Sequence, residues 1–92
     1  MRVVSGFIIR EVAGEIIAIP SGDAAKKLSG VLALNGSGKV LFDLLQSEQT
    51  EQDLVQAIRD IYEIDLATAK ADVAEFLGVL CSNGFLVDEG DV

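Results

Sequence analysis

The chain has 92 residues, of which 50% are hydrophobic, with a formal net charge of −8 and a mean hydropathy of +0.41. This length accommodates one hydrophobic core, so we predict a single domain over residues 1–92 whose core spans about residues 6–87. The acidic balance repels phosphate backbones and argues against nucleic acid as a partner, whereas the high apolar content predicts a surface that packs on another polypeptide.

Three strands are predicted in the first part of the chain. β-Branched and aromatic residues dominate 7–12 and 15–19, and the link between them is only Ala13-Gly14, which predicts a β-hairpin. Pro20 ends the second strand, because proline cannot donate a hydrogen bond to a neighbouring strand. Residues 24–30 fit either a loop or a single helical turn, and the compact apolar run 31–34 predicts the third strand.

Helical spacing begins after Asn35, whose side chain suits an N-cap, and it predicts a first helix from about residue 37 to residue 46. Residues 50–53 (TEQD) resemble a capping box that opens a second helix. Four apolar residues form the buried stripe predicted for this second helix: Leu54, Val55, Ile58 and Ile61.

A third and longest helix is predicted after Asp65, which can cap it. Asn83-Gly84 ends this helix, since glycine adopts positive φ without a Cβ penalty. Residues 85–87 are predicted to extend back along the body and the tail 88–92 to fray in solvent. Apolar residues at i, i+3, i+4 and i+7 spacings define one face of the helix: Leu66, Ala69, Val73, Phe76, Leu77 and Leu80.

The order of the predicted elements, three strands followed by three helices, indicates the fold class. Strands and helices that are segregated along a chain favour an α+β fold. We predict a three-stranded antiparallel sheet packed on three helices, which is the plan of a winged-helix-like domain.

Few side chains in this sequence can do chemistry. There is no histidine, the usual general base near neutral pH and a common metal ligand. Cys81 follows two apolar residues of the predicted third helix, which indicates a buried structural thiol. We therefore predict no catalytic residue, no metal site and no cofactor.

Two patterns resemble ligand sites, and neither predicts one. Residues 36–39 (GSGK) look like part of a phosphate-binding loop but lack the upstream glycine that such a loop needs. Four aspartates fit helix caps or solvated helix faces and do not have the spacing of a calcium loop: Asp53, Asp60, Asp65 and Asp72.

The sequence also predicts where the protein resides. No apolar run reaches the roughly 18 residues of a membrane span, and the first residues are not followed by a signal-peptide pattern. The lone Cys81 cannot form an internal disulfide, which agrees with a reducing compartment. We predict a cytoplasmic protein without a membrane partner.

Several segments in the same order and spacing resemble the PqqD-like family, small proteins named for the synthesis of pyrroloquinoline quinone. They cover roughly residues 6–87: 6–15 (GFIIREVAGE), 34–38 (LNGSG), 44–45 (LL), 62–65 (YEID), 71–77 (ADVAEFL) and 83–86 (NGFL). The chain departs from the family at Gly36, Ser37 and Gly38, where an acidic residue, a threonine and a small residue are more usual.

The resemblance implies a module that binds the leader segment of a ribosomally made precursor peptide and presents it to a modifying enzyme such as a radical-SAM protein, a cyclase or a protease. It further implies that the leader adds as a β-strand beside the third strand and lies in a groove against the first half of the third helix. The peptide-binding residues expected from it are Val31, Leu32, Ala33, Leu34, Leu66, Ala69, Lys70, Val73 and Leu77.

Some of these residues also have simpler interpretations. Val73 and Leu77 belong to an apolar helical stripe, which usually serves core packing. Lys70 is explained equally well as a charge partner for an acidic leader residue and as an ordinary solvated lysine.

Two other functions are compatible with the predicted fold. A winged-helix regulator would place a helix in the major groove of DNA, but the third helix offers mainly Lys70 among acidic and small residues. A self-associating protein could form homodimers through an exposed edge strand, or exchange strands through the connection at residues 20–30.

Overall fold

The computed structural model describes residues 1–22, 25–26, 30–34 and 36–87. Within these residues the strands are β1 (Arg2–Val3), β2 (Phe7–Val12), β3 (Glu15–Pro20), β4 (Leu32–Leu34) and β5 (Leu86–Val87). The helices are α1 (Gly36–Leu44), α2 (Glu51–Ile61) and α3 (Leu66–Ser82). The α+β class, with a three-stranded sheet followed by three helices, is confirmed. The predicted Asn35 cap, most of the connection at 24–30 and the tail 88–92 lie outside the described residues.

The three-stranded sheet has the order β2-β3-β4 with antiparallel pairing throughout. Its hairpin is the predicted one, since Val12 pairs with Glu15 across Ala13 and Gly14. Both link residues have positive φ, 53° and 83°, as a two-residue type I′ turn requires. The third strand is one residue shorter than predicted, because Val31 precedes β4.

A second, two-stranded sheet joins the two ends of the described chain. Arg2 pairs with Val87 and Val3 with Leu86. The Val3 N–H donates to the Leu45 carbonyl at 2.8 Å, and the Val4 N–H donates to the Phe85 carbonyl at the same distance. Strands of two residues carry no recognisable alternation, so the sequence predicts neither the strand β1 nor its pairing.

One face of the three-stranded sheet and the inner faces of the helices form the core. Ala18, Leu32 and Leu34 point inwards from the sheet, and Phe7 touches the rings of Phe42 and Phe85 in edge-on contacts, with centroids 5.6 and 5.0 Å apart. The buried residues are Val3, Ala18, Leu32, Leu34, Leu41, Phe42, Leu45, Leu54, Val55, Ile58, Ala69, Val73, Leu80 and Phe85.

The N-caps predicted for α2 and α3 are present. The Asp53 N–H donates to Thr50 Oγ1 at 3.1 Å and the Thr50 N–H donates to Asp53 Oδ2 at 2.9 Å, which completes the capping box of α2. At α3 the Thr68 N–H donates to Asp65 Oδ1 at 3.3 Å. The hydrogen bonds from Thr50 lower the pKa of Asp53, and those from Thr68 lower the pKa of Asp65. These two aspartates therefore have structural roles.

The predicted burial of Ile61 and of Cys81 is wrong. Ile61, at the end of α2, is 57% exposed. Leu66, on the apolar face of α3, is 43% exposed at the start of that helix. The apolar stripe of each helix thus runs further along the helix than the core does. Cys81 is exposed as well, because it lies about 100° around the helix from the buried Leu80. The first helix also begins one residue earlier and ends two residues earlier than predicted.

The hairpin turn provides a test of the fold. Ala13 holds a positive φ that costs an L-residue with a Cβ about 1 kcal/mol, whereas asparagine tolerates it and Asn-Gly is a preferred type I′ pair. We expect Ala13→Asn to raise the free energy of unfolding by about 1 kcal/mol in chemical denaturation. The control Ala71→Asn, on an exposed interior position of α3, should lower it by about 0.5 kcal/mol. A loss of stability in Ala13→Asn would contradict the turn type.

Candidate functional site

The strand β4 lies at one edge of the three-stranded sheet. Its inner side pairs with β3, where Ile16 lies opposite Leu34 and Ala18 opposite Leu32. Within the described part of the chain, no strand pairs with its outer side. Such an edge presents unpaired N–H and C=O groups that can pair with another extended chain.

A groove of about 250 Å³ runs beside this edge. The strand β4 forms one wall, the first turns of α1 form the base, and the middle of α3 forms the opposite wall. The lining residues are Leu32, Ala33, Ser37, Gly38, Leu41, Asp72, Glu75, Phe76 and Val79.

The base of the groove is apolar and its rim is mixed. Leu32 and Leu41 are buried, Phe76 is half-buried, and Val79 is 41% exposed. The α3 residues in the groove are spaced i, i+3, i+4 and i+7, so they share one flank of the helix. Apolar side chains that are only partly covered next to an open strand can take up an apolar side chain of an added peptide.

The charges in the groove are acidic. Asp72 and Glu75 are exposed on the α3 wall, and neither side chain makes a hydrogen bond or ion pair with another described residue. No basic residue lines the groove within the described ranges. The nearest lysine along α1, Lys39, bonds to Asp43 on its own helix. Among the described residues, the two charged side chains that line the groove, Asp72 and Glu75, are therefore both acidic.

The structure separates the predicted site residues into three groups. Leu32, Ala33 and Leu34 form β4, with Leu32 and Ala33 in the groove, while Val31 just before the strand is 59% exposed. Ala69 and Val73 are fully buried and belong to the core, and Leu77 packs against that core half-buried.

Leu66 and Lys70 lie away from β4. They line a separate depression of about 800 Å³ between α2 and α3, with Glu51, Asp53 and Gln56 among its other lining residues. This depression is larger than the groove, but no strand edge borders it, so its walls offer no ladder of backbone groups to an extended peptide.

Sequence reasoning missed most of the α3 wall of the groove. Asp72, Glu75 and Val79 were not singled out as binding residues, although their spacing places them on one flank of the predicted helix. That spacing could have identified them as neighbours on the helix surface. The sequence does not say which flank faces the third strand, since the packing of α3 on the sheet decides it.

The groove has the features of a binding site for an extended chain. Among the described residues, no group of three acidic or cysteine side chains is close enough to hold a metal ion. Residues 36–39, which resemble a phosphate-binding loop, form the first turn of α1 instead. No helix in the described part of the chain is long and apolar enough to cross a membrane. What the arrangement can do is pair with an extended chain and cover its side chains.

The chain is similar to known proteins in two comparisons. The family described as coenzyme PQQ synthesis protein D (PqqD) matches residues 11–86, most of the chain. A solved structure, "TbiB1 in Complex with the TbiA(beta) Leader Peptide", has the same fold with a TM-score of 0.70 and 19% sequence identity, over 96% of this chain and 100% of that one. No curated protein sequence matches the chain.

Proposed function

This chain belongs to the PqqD family, coenzyme PQQ synthesis protein D, and we propose that it binds the leader segment of a ribosomally made precursor peptide and presents that peptide to a modifying enzyme. The observation that carries this proposal is the open edge of β4 beside the groove on α3. The leader adds as a fourth strand to the sheet, and alternate side chains of the leader enter the groove.

The binding mode follows from the chemistry of a strand edge. Main-chain hydrogen bonds to β4 supply affinity for almost any extended sequence, whereas the groove selects the side chains on one face of the peptide. The similar structure of TbiB1, which was determined with a leader peptide, supports this use of the fold. Binding at this site uses the backbone groups of β4 and the shape of the groove, so the chain itself needs no catalytic group.

The chemistry on the peptide then belongs to a separate enzyme. A radical-SAM protein, a cyclase or a protease fits this role, because each acts on a precursor peptide that must be delivered in a fixed orientation. The lone Cys81 supports a cytoplasmic location for this step, where precursor peptides are made.

Self-association is a second proposal, supported by the outer face of the sheet. Ile8, Arg10 and Val12 of β2 share that face with Ile17 and Ile19 of β3, as the strand register requires. Ile8 is 43% and Val12 is 53% exposed. An apolar sheet face beside an open edge can bring two copies together into a homodimer.

The leader-binding proposal predicts a specific pattern of peptide chemistry. In an added edge strand, alternate N–H groups point towards β4 and the others point to solvent. We expect the leader of the precursor encoded beside this gene to bind, and N-methylation of one alternate set of leader residues to abolish binding. N-methylation of the other set serves as the matched control and should be tolerated. Isothermal titration calorimetry measures both.

A second readout locates the peptide. Titration of the isotope-labelled protein with the unmodified leader should shift the backbone amide resonances of residues 32–34 and 72–79, and leave those of residues 51–56 near their positions. The proposal fails if the leader does not bind at micromolar concentrations, or if both N-methylated sets bind equally well.

A further inference from the structure

We propose that the leader recognised by this groove carries a lysine or arginine and a bulky apolar residue on the same face of the strand. This inference rests on the proposed leader binding and names the chemistry that the site selects. The basic side chain meets Asp72 and Glu75, and the apolar side chain meets Phe76 and Val79.

The acidic pair is the first part of the argument. Asp72 and Glu75 sit on the groove wall, are exposed, and have no hydrogen-bond or ion-pair partner among the described residues. Two carboxylates with no basic neighbour among the described groove residues attract a cation and repel an anion. A lysine or arginine of the leader supplies that cation and donates charge-assisted hydrogen bonds.

The apolar neighbours are the second part. Phe76 lies one helical turn beyond Asp72, and Val79 one turn beyond Glu75, so each acid is followed along the same flank by an apolar side chain. Buried Leu32 and Leu41 continue this apolar surface towards the sheet. Side chains of a strand that face the groove alternate with those that face away. The basic and the apolar leader residue therefore stand two or four positions apart.

The same geometry reverses the charge preference expected from the sequence. Lys70 was a candidate partner for an acidic leader residue, but it lines the depression between α2 and α3 and is not among the residues that line the groove. An acidic leader residue in the groove would face Asp72 and Glu75 without a compensating cation among the described groove residues. The structure thus favours a basic residue at that point.

A random library tests the inference without knowledge of the natural leader. Twelve-residue peptides displayed on phage are selected on the immobilised full chain and on the variant Asp72→Asn/Glu75→Gln. The matched control is Glu11→Gln/Glu63→Gln, which removes the same charge from exposed positions outside the groove. The readout is the residue frequency in the bound peptides compared with the unselected library.

We expect the wild-type chain to enrich lysine and arginine about two- to fivefold, the range that a partly exposed ion pair provides. The enriched basic position should lie two or four residues from an enriched Leu, Ile, Val or Phe. In Asp72→Asn/Glu75→Gln the basic enrichment should disappear while the apolar enrichment persists, and the control should behave like the wild type. Selection at 0.5 M salt should weaken the basic preference.

The possible failures are distinguishable. If extended apolar peptides are selected with no basic preference, or with an acidic one, the charge inference is overturned while leader binding stands. If the basic enrichment is equal in the groove variant and the wild type, it arises from the overall negative charge and the inference is again overturned. If no peptide is selected from the library and the precursor leader does not bind either, leader binding and the charge inference fall together.

Discussion

Leader peptide should bind at least about tenfold more weakly to the variant Val79→Arg than to the wild-type chain. Val79 stands on the groove rim and is 41% exposed, so an arginine fits there without disturbing the core. An arginine at this position should cover the apolar part of the proposed leader site, and its charge should offset those of the nearby acids Asp72 and Glu75. Fluorescence anisotropy with a labelled leader measures the affinity.

The matched variant is Leu66→Arg, which makes a similar change on the opposite flank of the same helix. Leu66 is 43% exposed and lines the depression between α2 and α3. We expect its affinity for the leader to remain within about twofold of the wild type, because the proposed leader site lies on the other flank of α3. Thermal melts of both variants check that each is folded.

The variants Val79→Arg and Leu66→Arg together distinguish two placements of the peptide. A large loss in Leu66→Arg with little change in Val79→Arg would move the peptide to the α2–α3 side, where the first half of α3 forms the wall. A loss confined to Val79→Arg supports the groove beside β4. Equal affinities in both variants and in the wild type would contradict any contact between the leader and α3.

Replacement of Phe42 by alanine should lower the free energy of unfolding by about 3–5 kcal/mol. Phe42 is 1% exposed, and its ring meets Phe7 edge-on, so the truncation leaves a cavity between α1 and the sheet. A domain of this size has a total stability of about 5–15 kcal/mol, so the variant approaches the unfolded state at room temperature. Urea denaturation followed by circular dichroism gives the value.

Two further variants keep this prediction measurable. Phe42→Leu retains most of the buried volume and should cost only about 1 kcal/mol. Ile61→Ala is the surface control: the sequence pattern predicts a buried residue, whereas Ile61 is 57% exposed, so the change should stay within about 0.5 kcal/mol. A cost above 2 kcal/mol for Ile61→Ala would show that this residue is packed after all.

Local signals predicted most of the fold. The two-residue link at Ala13-Gly14 predicted the hairpin, and the capping box at residues 50–53 and Asp65 predicted where α2 and α3 begin. Each of these signals acts over a few residues, since turn and cap chemistry depends on the immediate backbone. The family resemblance is confirmed by the match over residues 11–86.

The exposure of Ile61 at the end of α2 and the strand β1 with its pairing were not predicted, because both depend on contacts between distant parts of the chain. Leu66 and Ile61 continue the apolar stripes of their helices beyond the point where the core ends. The spacing of apolar residues along a helix does not show how far the neighbouring elements extend over it. Pairing of Arg2–Val3 with Leu86–Val87 joins residues more than eighty positions apart, and two residues are too few to show a strand pattern. The exposure of Cys81 could have been predicted from the helical period, because its position around the helix lies away from the buried stripe.

The amino-acid sequence determines for this protein that three strands precede three helices and that α3 has one apolar stripe with two flanks. It does not settle which flank faces the strand. Periodicity fixes the angle of each side chain around its own helix, whereas the rotation of that helix against the sheet follows from packing of the buried residues Ala69, Val73 and Leu80 with the rest of the core. That packing turns Asp72, Glu75 and Val79 towards β4 and Lys70 away from it.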